Sequence, residues 1–194
     1  MDSIKPLLTE HGRLFHKADQ LELRLCRLLN GFGFNPKTRQ VFRTVSRLGD
    51  GVFWYVLGAM LPLTMGMEGF AALGHITIMG MICVGLYRQL KRKLVRQRPF
   101  MSFSAIQAYT RPLDLYSFPS GHTMNAVNFA ILFGYFFPPL AWLLTPFAVL
   151  IALSRVILGM HYPTDVMVGA VLGAALAWGS LLLWPTGMFA STLL

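Results

Sequence analysis

Tyr116–Asn125 reads Y-S-F-P-S-G-H-T-M-N, and the chain changes character across it. Pro119 stops an extended segment, Ser120 is a favoured helix N-cap, and Gly121 lets the backbone approach a bound group closely. Beyond His122 the residues turn apolar (Ala126, Val127, Phe129, Ala130, Ile131, Leu132, Phe133), so a membrane-type helix begins here. A helix start carries unpaired N–H groups and about half a positive charge, which suits an anion such as phosphate. His122 falls in the first turn, placed to give or take a proton. Alone, the stretch reads equally well as a capped helix start with an exposed histidine. Its neighbours in the chain decide between the two.

The 194 residues are 55% hydrophobic and 13% charged, with the apolar residues in long runs. That composition predicts a single all-α unit, a polytopic membrane helical bundle. The net charge of +9 would fit a nucleic-acid partner, but the Lys and Arg residues flank apolar spans. Membrane phospholipid headgroups and anionic substrates are therefore the expected partners, and nucleic acid is not. Cys26 and Cys83 suggest neither a disulfide nor a metal site. The N-terminal stretch lacks the apolar core of a signal peptide.

Residues 1–50 read as a basic, amphipathic interfacial segment ahead of a membrane-embedded domain at 51–194. Leu14, Ala18, Leu21, Leu25, Leu28 and Phe32 recur at spacings of four and three, with Lys17, Asp19, Glu22, Arg24 and Arg27 on the other face. Two mid-helix arginines argue against spanning, so this helix is expected on the membrane surface, ending at the breaker Gly31–Pro36. A second basic helix follows, with Val41, Val45 and Leu48 on one side. About five spans come next: Val52–Met67, Gly69–Tyr87, Ser120–Phe137, Leu140–Leu153, and Pro163 to about Trp184. Glu68 marks the first tight turn, residues 100–118 a loop, and Val156–Tyr162 a short connection. His75 inside the second span reads as a structural hydrogen-bonding residue. Gly169-x-x-x-Gly173 permits close packing of the last helix.

If the spans alternate in direction, three junctions meet at one face: Lys91–Pro99, Ser120–His122 and Ser154–Asp165. The junctions at Glu68 and at Pro138–Pro139 carry no Lys or Arg. Charges near a bilayer are costly, so such a cluster is a functional site by default. Lys91, Arg98 and Arg155 supply cations, and the Ser120–Gly121 helix start supplies N–H donors, as phosphoryl transfer requires. His161 and Asp165 are four apart, so the carboxylate can fix the histidine tautomer and leave one nitrogen to attack phosphorus. His122 is the natural acid for the leaving oxygen. No carboxylate cluster stands ready for Mg²⁺, and three cations would repel a zinc ion from His122, His161 and Asp165. No metal and no other cofactor is expected.

Lys91-x6-Arg98-Pro99, Pro119-Ser120-Gly121-His122 and Ser154-Arg155-x5-His161-x3-Asp165 resemble, complete and in order, the three signature motifs of the type 2 phosphatidic acid phosphatase superfamily. The resemblance covers roughly residues 50–185. It implies an integral membrane lipid phosphatase acting through a phosphohistidine without metal, in a bacterial inner membrane. It makes His161 the nucleophile, Asp165 its orienting partner and His122 the general acid, with Lys91, Arg98, Ser120, Gly121 and Arg155 holding the phosphate. Phosphatidic acid, phosphatidylglycerophosphate and undecaprenyl diphosphate are the substrates of similar short proteins, and the motifs do not choose among them. Vanadium haloperoxidases share the motifs but are large and soluble. A non-catalytic lipid-binding protein of the same fold is the alternative from another class, although no catalytic position is missing. Every Lys and Arg lies towards the catalytic end, which the positive-inside rule assigns to the cytoplasm, whereas the resemblance to many bacterial enzymes of the outer leaflet would turn that end to the periplasm.

Overall fold

Long apolar runs punctuated by Gly and Pro fold, in the computed structural model, into helices and, among the described residues, no strand. Residues 10–183 are described, with side chains from residue 19 onward. Arg13, Leu14, Lys17 and Ala18 therefore lie outside the described side chains, and Trp184 outside the described residues. In chain order the helices are α1 (Glu10–Gly31), α2 (Pro36–Leu48), α3 (Val52–Met65), α4 (Met67–Leu94), α5 (Pro99–Ser102), α6 (Gly121–Phe136), α7 (Ala141–Ile157) and α8 (Pro163–Leu182). Single 3₁₀ turns at Phe32–Phe34 and Pro138–Leu140 complete the connections.

Several boundaries move from their expected places, each for a local reason. α3 stops at Met65 because Gly66 turns the chain with φ 60°, so Met67 opens α4 and Glu68 lies in its first turn rather than at the bend. α4 runs past Tyr87 to Leu94, since the basic residues there are good helix formers and favour a helix C-terminus. That extension places Lys91 inside the last turn. Similarly, α7 continues to Ile157, so Ser154 and Arg155 belong to the helix and do not close it. Asn35 caps α2 by accepting from the Lys37 N–H at 2.9 Å, with Pro36 in the first helical position.

Each of the five segments expected to cross the membrane is a helix. The segment Met67–Ser102, Pro138–Ile157 and α8 are long and apolar enough to span, and α2 with α3, bent by 46°, makes a fourth candidate. α6 has 16 residues, about 24 Å at the helical rise, and falls short of that length. The protein is an integral membrane protein built as an all-α bundle.

α6 sits at the centre, packed against α8, α7 and α4. Trp54, Ile76, Leu132, Phe133, Leu144 and Ile151 form the main core. The α6–α8 seam is closer than side chains would permit. A Cβ on Gly169 would lie 2.6 Å from the Ser120 carbonyl oxygen, and one on Gly173 would overlap that of Met124. His75 meets Ser180 Oγ across α4 and α8 at 2.9 Å, the structural bond expected of it. Cys26 and Cys83 are free and buried.

α1 lies on the bundle in an unexpected orientation. Leu21 (83% exposed), Leu28 (65%) and Phe32 (54%) face outward. Asp19 and Glu22, expected on a polar outer face, turn inward onto Arg96 in the α4–α5 connection and onto the start of α8, on the same side as Cys26 and Asn30. Asn30 donates to the carbonyls of Gln107 and Ile157, both at 3.0 Å, which ties the 103–120 loop to the end of α7.

Candidate active site

The C-terminal end of α4, the N-terminus of α6 and the α7–α8 junction converge at one end of the bundle. Lys91, Arg98, Ser120, Arg155, His161 and Asp165 are all buried there. Ser120 caps α6 with its side chain, and its N–H donates to the Asp165 carbonyl at 3.0 Å, joining the starts of α6 and α8. The Arg155 carbonyl, at the end of α7, accepts from the N–H groups of Met160 (3.0 Å) and His161 (3.1 Å). This tight return needs Gly159, whose φ is 77° and whose place a Cβ would share with the Gln107 carbonyl oxygen. Arg98 donates to the Met160 carbonyl at 2.8 Å, one residue before His161. A Cβ on Gly121 would also press on the Tyr87 ring at 3.0 Å.

The three motif cations form a cradle. Lys91 Nζ holds Asp114 through both carboxylate oxygens (2.9 and 2.7 Å), and Arg98 Nη2 holds one of them at 2.7 Å. Arg155 Nη1 donates to Ser46 Oγ at 2.5 Å, while its Nε is buried without a partner. Burial pushes the Asp114 carboxyl up, but the hydrogen bond and charge of Lys91 and the charge of Arg98 outweigh it and hold it below the usual carboxylate range. Burial first, then the charges of Arg98, Arg155 and Lys91, keep His161 well below the ordinary imidazole value. It is therefore neutral, with a lone pair available.

His161 Nδ1 lies 3.5 Å from Asp165 Oδ2 and makes no formed hydrogen bond. Asp165 Oδ2 accepts instead from the Tyr162 N–H at 2.9 Å, and Oδ1 accepts from Arg96 Nη1 at 2.5 Å. His122 Nε2 pairs with the Asp50 carboxylate, delivered by the Gly49–Gly51 turn between α2 and α3.

Asp50, Asp114 and Arg96 are the members that sequence reasoning did not assign. Asp50 carried a faint signal as an acid between two glycines ahead of a span. Arg96 was one of a run of basic residues with no feature to separate it. Among the described residues no group of three His, Cys, Asp or Glu side chains is placed to hold a metal ion.

A cleft of about 670 Å³ opens onto this end, walled by Lys91, Asp114, Gly121, His122 and Asn125. It adjoins an apolar groove of about 590 Å³ that runs between α3, α4 and α6 past Trp54, Ile76, Val84 and Phe129. Asp50, Tyr87 and Asn125 line both. Along α4 the groove extends from Tyr87 to Leu73, about 20 Å at the helical rise.

Residues 69–188 match the PAP2 superfamily. The chain belongs to that superfamily. It is similar to the undecaprenyl-diphosphatase of Sulfolobus acidocaldarius, at 32% identity over 145 residues, covering 74% of this chain and 69% of that protein. It is also similar to the decaprenylphosphoryl-5-phosphoribose phosphatase of Mycobacterium tuberculosis, at 44% identity over 86 residues. That match covers 44% of this chain and 46% of the relative, so the chain spans about half the mycobacterial protein's length. The crystal structure of Aquifex aeolicus LpxE superposes with a TM-score of 0.71 at 28% identity, over 84% of this chain and 95% of that one. The PAP2 motifs occupy the helix ends described above.

Proposed function

We propose that this PAP2 protein is a metal-independent lipid phosphatase, hydrolysing a phosphate monoester or diphosphate from a membrane lipid. The observation that carries this reading is a cleft walled by Lys91 and His122, at the end of the bundle where Arg98, Arg155 and His161 are buried, that adjoins an apolar groove running along the helices. A charged headgroup and a hydrocarbon chain would each find a matching surface.

His161 Nε2 attacks phosphorus while the bond from phosphorus to the lipid oxygen breaks. His122, paired with the Asp50 carboxylate, gives a proton to that oxygen. Water then attacks the phosphohistidine, His122 takes the water proton, and phosphate leaves with His161 restored. Lys91, Arg98, Arg155, the Ser120 hydroxyl and the N–H of Gly121 hold the phosphate oxygens, and Asp165 keeps the His161 proton on Nδ1. The Asp114 carboxylate, which faces the same cations, must give way to the incoming phosphate. Residues 1–50 would lie along the interface of a bacterial inner membrane with the basic catalytic end towards the cytoplasm. The exposed stripe Leu21–Leu28–Phe32 supports this.

The test is phosphate release by the purified chain from phosphatidic acid, phosphatidylglycerophosphate and undecaprenyl diphosphate in excess EDTA. Turnover of at least one lipid, inhibited by vanadate, is expected. No release from any of them, or strict dependence on added Mg²⁺ or Zn²⁺, overturns the reading.

A further inference from the structure

We propose that helix α1 is a positioning element of the catalytic site, in which Asp19 and Glu22 act through Arg96 to orient Asp165 behind His161. The inference rests on the reading of His161 and Asp165 given above and adds a role for the N-terminal segment beyond lying on a membrane.

Arg96 is buried, and all five of its N–H donors are engaged. Nε and Nη2 both donate to Asp19 Oδ1 (2.9 and 2.6 Å), and Nη2 also reaches Glu22 Oε1 at 3.0 Å. Nη1 serves Asp165 Oδ1 at 2.5 Å and Thr164 Oγ1 at 2.7 Å. Its guanidinium also lies over the Tyr162 ring, 4.0 Å from the centroid. A guanidinium is a rigid planar fork, so fixing three donors on α1 fixes the direction of the other two. Those two grip the start of α8, and one of them sets the plane of the Asp165 carboxylate. Asp165 Oδ2 is thereby left towards His161.

Glu22 makes a second, independent connection. Its Oε2 accepts the Thr164 N–H at 2.8 Å and its Oε1 accepts the Thr164 hydroxyl at 2.7 Å. Thr164 is the second residue of α8, where backbone N–H groups lack helical partners. A residue from 142 positions away thus caps the helix that carries Asp165.

The number of acids matters as well as their position. Arg96 facing Asp165 alone would be a one-to-one pair, drawing the carboxylate charge towards the guanidinium. With Asp19 and Glu22 sharing the cation, Asp165 remains a strong acceptor for the Nδ1 proton of His161. A plain docking salt bridge would need only one acid, and it would not need to share its arginine with a catalytic carboxylate.

The experiment compares the full chain with the isosteric double variant Asp19→Asn/Glu22→Gln, on a lipid phosphate and on a water-soluble aryl phosphate, in detergent and in vesicles. The expected result is a loss of about ten- to hundredfold in kcat on both substrates, the size seen when the groups that orient metal-bound histidines are removed. KM should barely change, and the ¹⁵N signal of His161 Nδ1, identified by its absence in His161→Asn, should move. Arg96→Lys, which keeps charge but loses the fork, should reproduce the kcat loss. A double variant that melts earlier yet keeps wild-type kcat and the wild-type His161 signal overturns the proposal. So does a loss confined to lipid substrate in vesicles, which would mark membrane attachment only. If the double variant does not fold, Asp19→Asn leaves the Glu22 cap in place, and its failure to lower kcat several-fold overturns the proposal equally. Wild-type protein without turnover on any phosphate defeats the phosphatase reading and this one with it, whereas active wild type with an unaffected variant defeats this one alone.

Discussion

Arg96 and Arg98 are two residues apart, yet the charge clusters they belong to are balanced in opposite ways. Around Arg96, three carboxylates (Asp19, Glu22 and Asp165) meet one guanidinium, and every donor on it is engaged. Around Arg98, two cations (Lys91 and Arg98) share the carboxylate of Asp114, while the neighbouring Arg155 donates to the Ser46 hydroxyl and its Nε has no partner. A fully satisfied buried network holds its members in one arrangement, while a cation with an unfilled donor keeps its affinity for an anion. The first cluster is suited to positioning and the second to binding.

The largest effect should come from the residue between the two clusters. His161→Ala is expected to abolish phosphate release from lipid and aryl phosphates alike while the protein stays folded, measured as turnover on a monodisperse sample. His122→Ala should recover part of its rate on aryl phosphates, whose leaving groups need no proton. Equal losses for the two variants on both substrates would remove the distinction between nucleophile and acid.

Stability should then separate the clusters. Arg96→Met leaves the buried Asp165 and the partly buried Asp19 and Glu22 without their cation and is expected to cost about 3–5 kcal/mol, read from thermal unfolding in detergent. Arg155→Met removes a cation that has no carboxylate partner, so it should lose turnover with little loss of stability. The reverse order of melting temperatures would undo the comparison.

The smallest effect concerns the resident anion. Asp114→Asn should tighten inhibition by vanadate or inorganic phosphate about tenfold, the worth of one charge-assisted hydrogen bond. In the wild type the depressed Asp114 pKa keeps that carboxylate charged below the usual range. Its contribution to stability is complete above its unfolded value and is lost as pH falls through the folded one. Anion affinity should rise over that same acid window in the wild type and stay flat in Asp114→Asn.

The helices of the bundle were legible because lipid-facing runs and Gly or Pro breaks are local signals. The motif residues were legible because they cluster at the ends of those runs. Their partners were not. His122 and Asp50 are 72 positions apart, and Arg96 and Asp19 are 77, and nothing local encodes such pairings. α1 shows a second reason. Its wheel of Leu21, Leu25 and Leu28 against Asp19 and Glu22 predicts a polar face turned to water. Where the apolar stripe faces outward, the opposite face packs on the protein, and charged residues there belong to its interior. The ends of α4 and α7 shifted for the plainer reason that basic or small residues continue a helix as readily as they end one, whereas α3 ended early at the Gly66 turn.

The Gly169–Gly173 seam bears on how a lipid reaches the cleft from the side. No side chains separate α6 from α8 there, so none can swing aside to open a passage. Parting the two helices would break the bond from the Ser120 N–H to the Asp165 carbonyl and carry His122 away from His161. α3 and α4 differ. They are pinched at the far end, where Gly69 lies against the Leu61 carbonyl, and separated by the apolar groove towards the cleft, where α3 begins at Gly51 with φ 139°. On the proposed function, lateral entry of a lipid would fall to the α3–α4 side, and the α6–α8 contact that aligns the two histidines would stay closed.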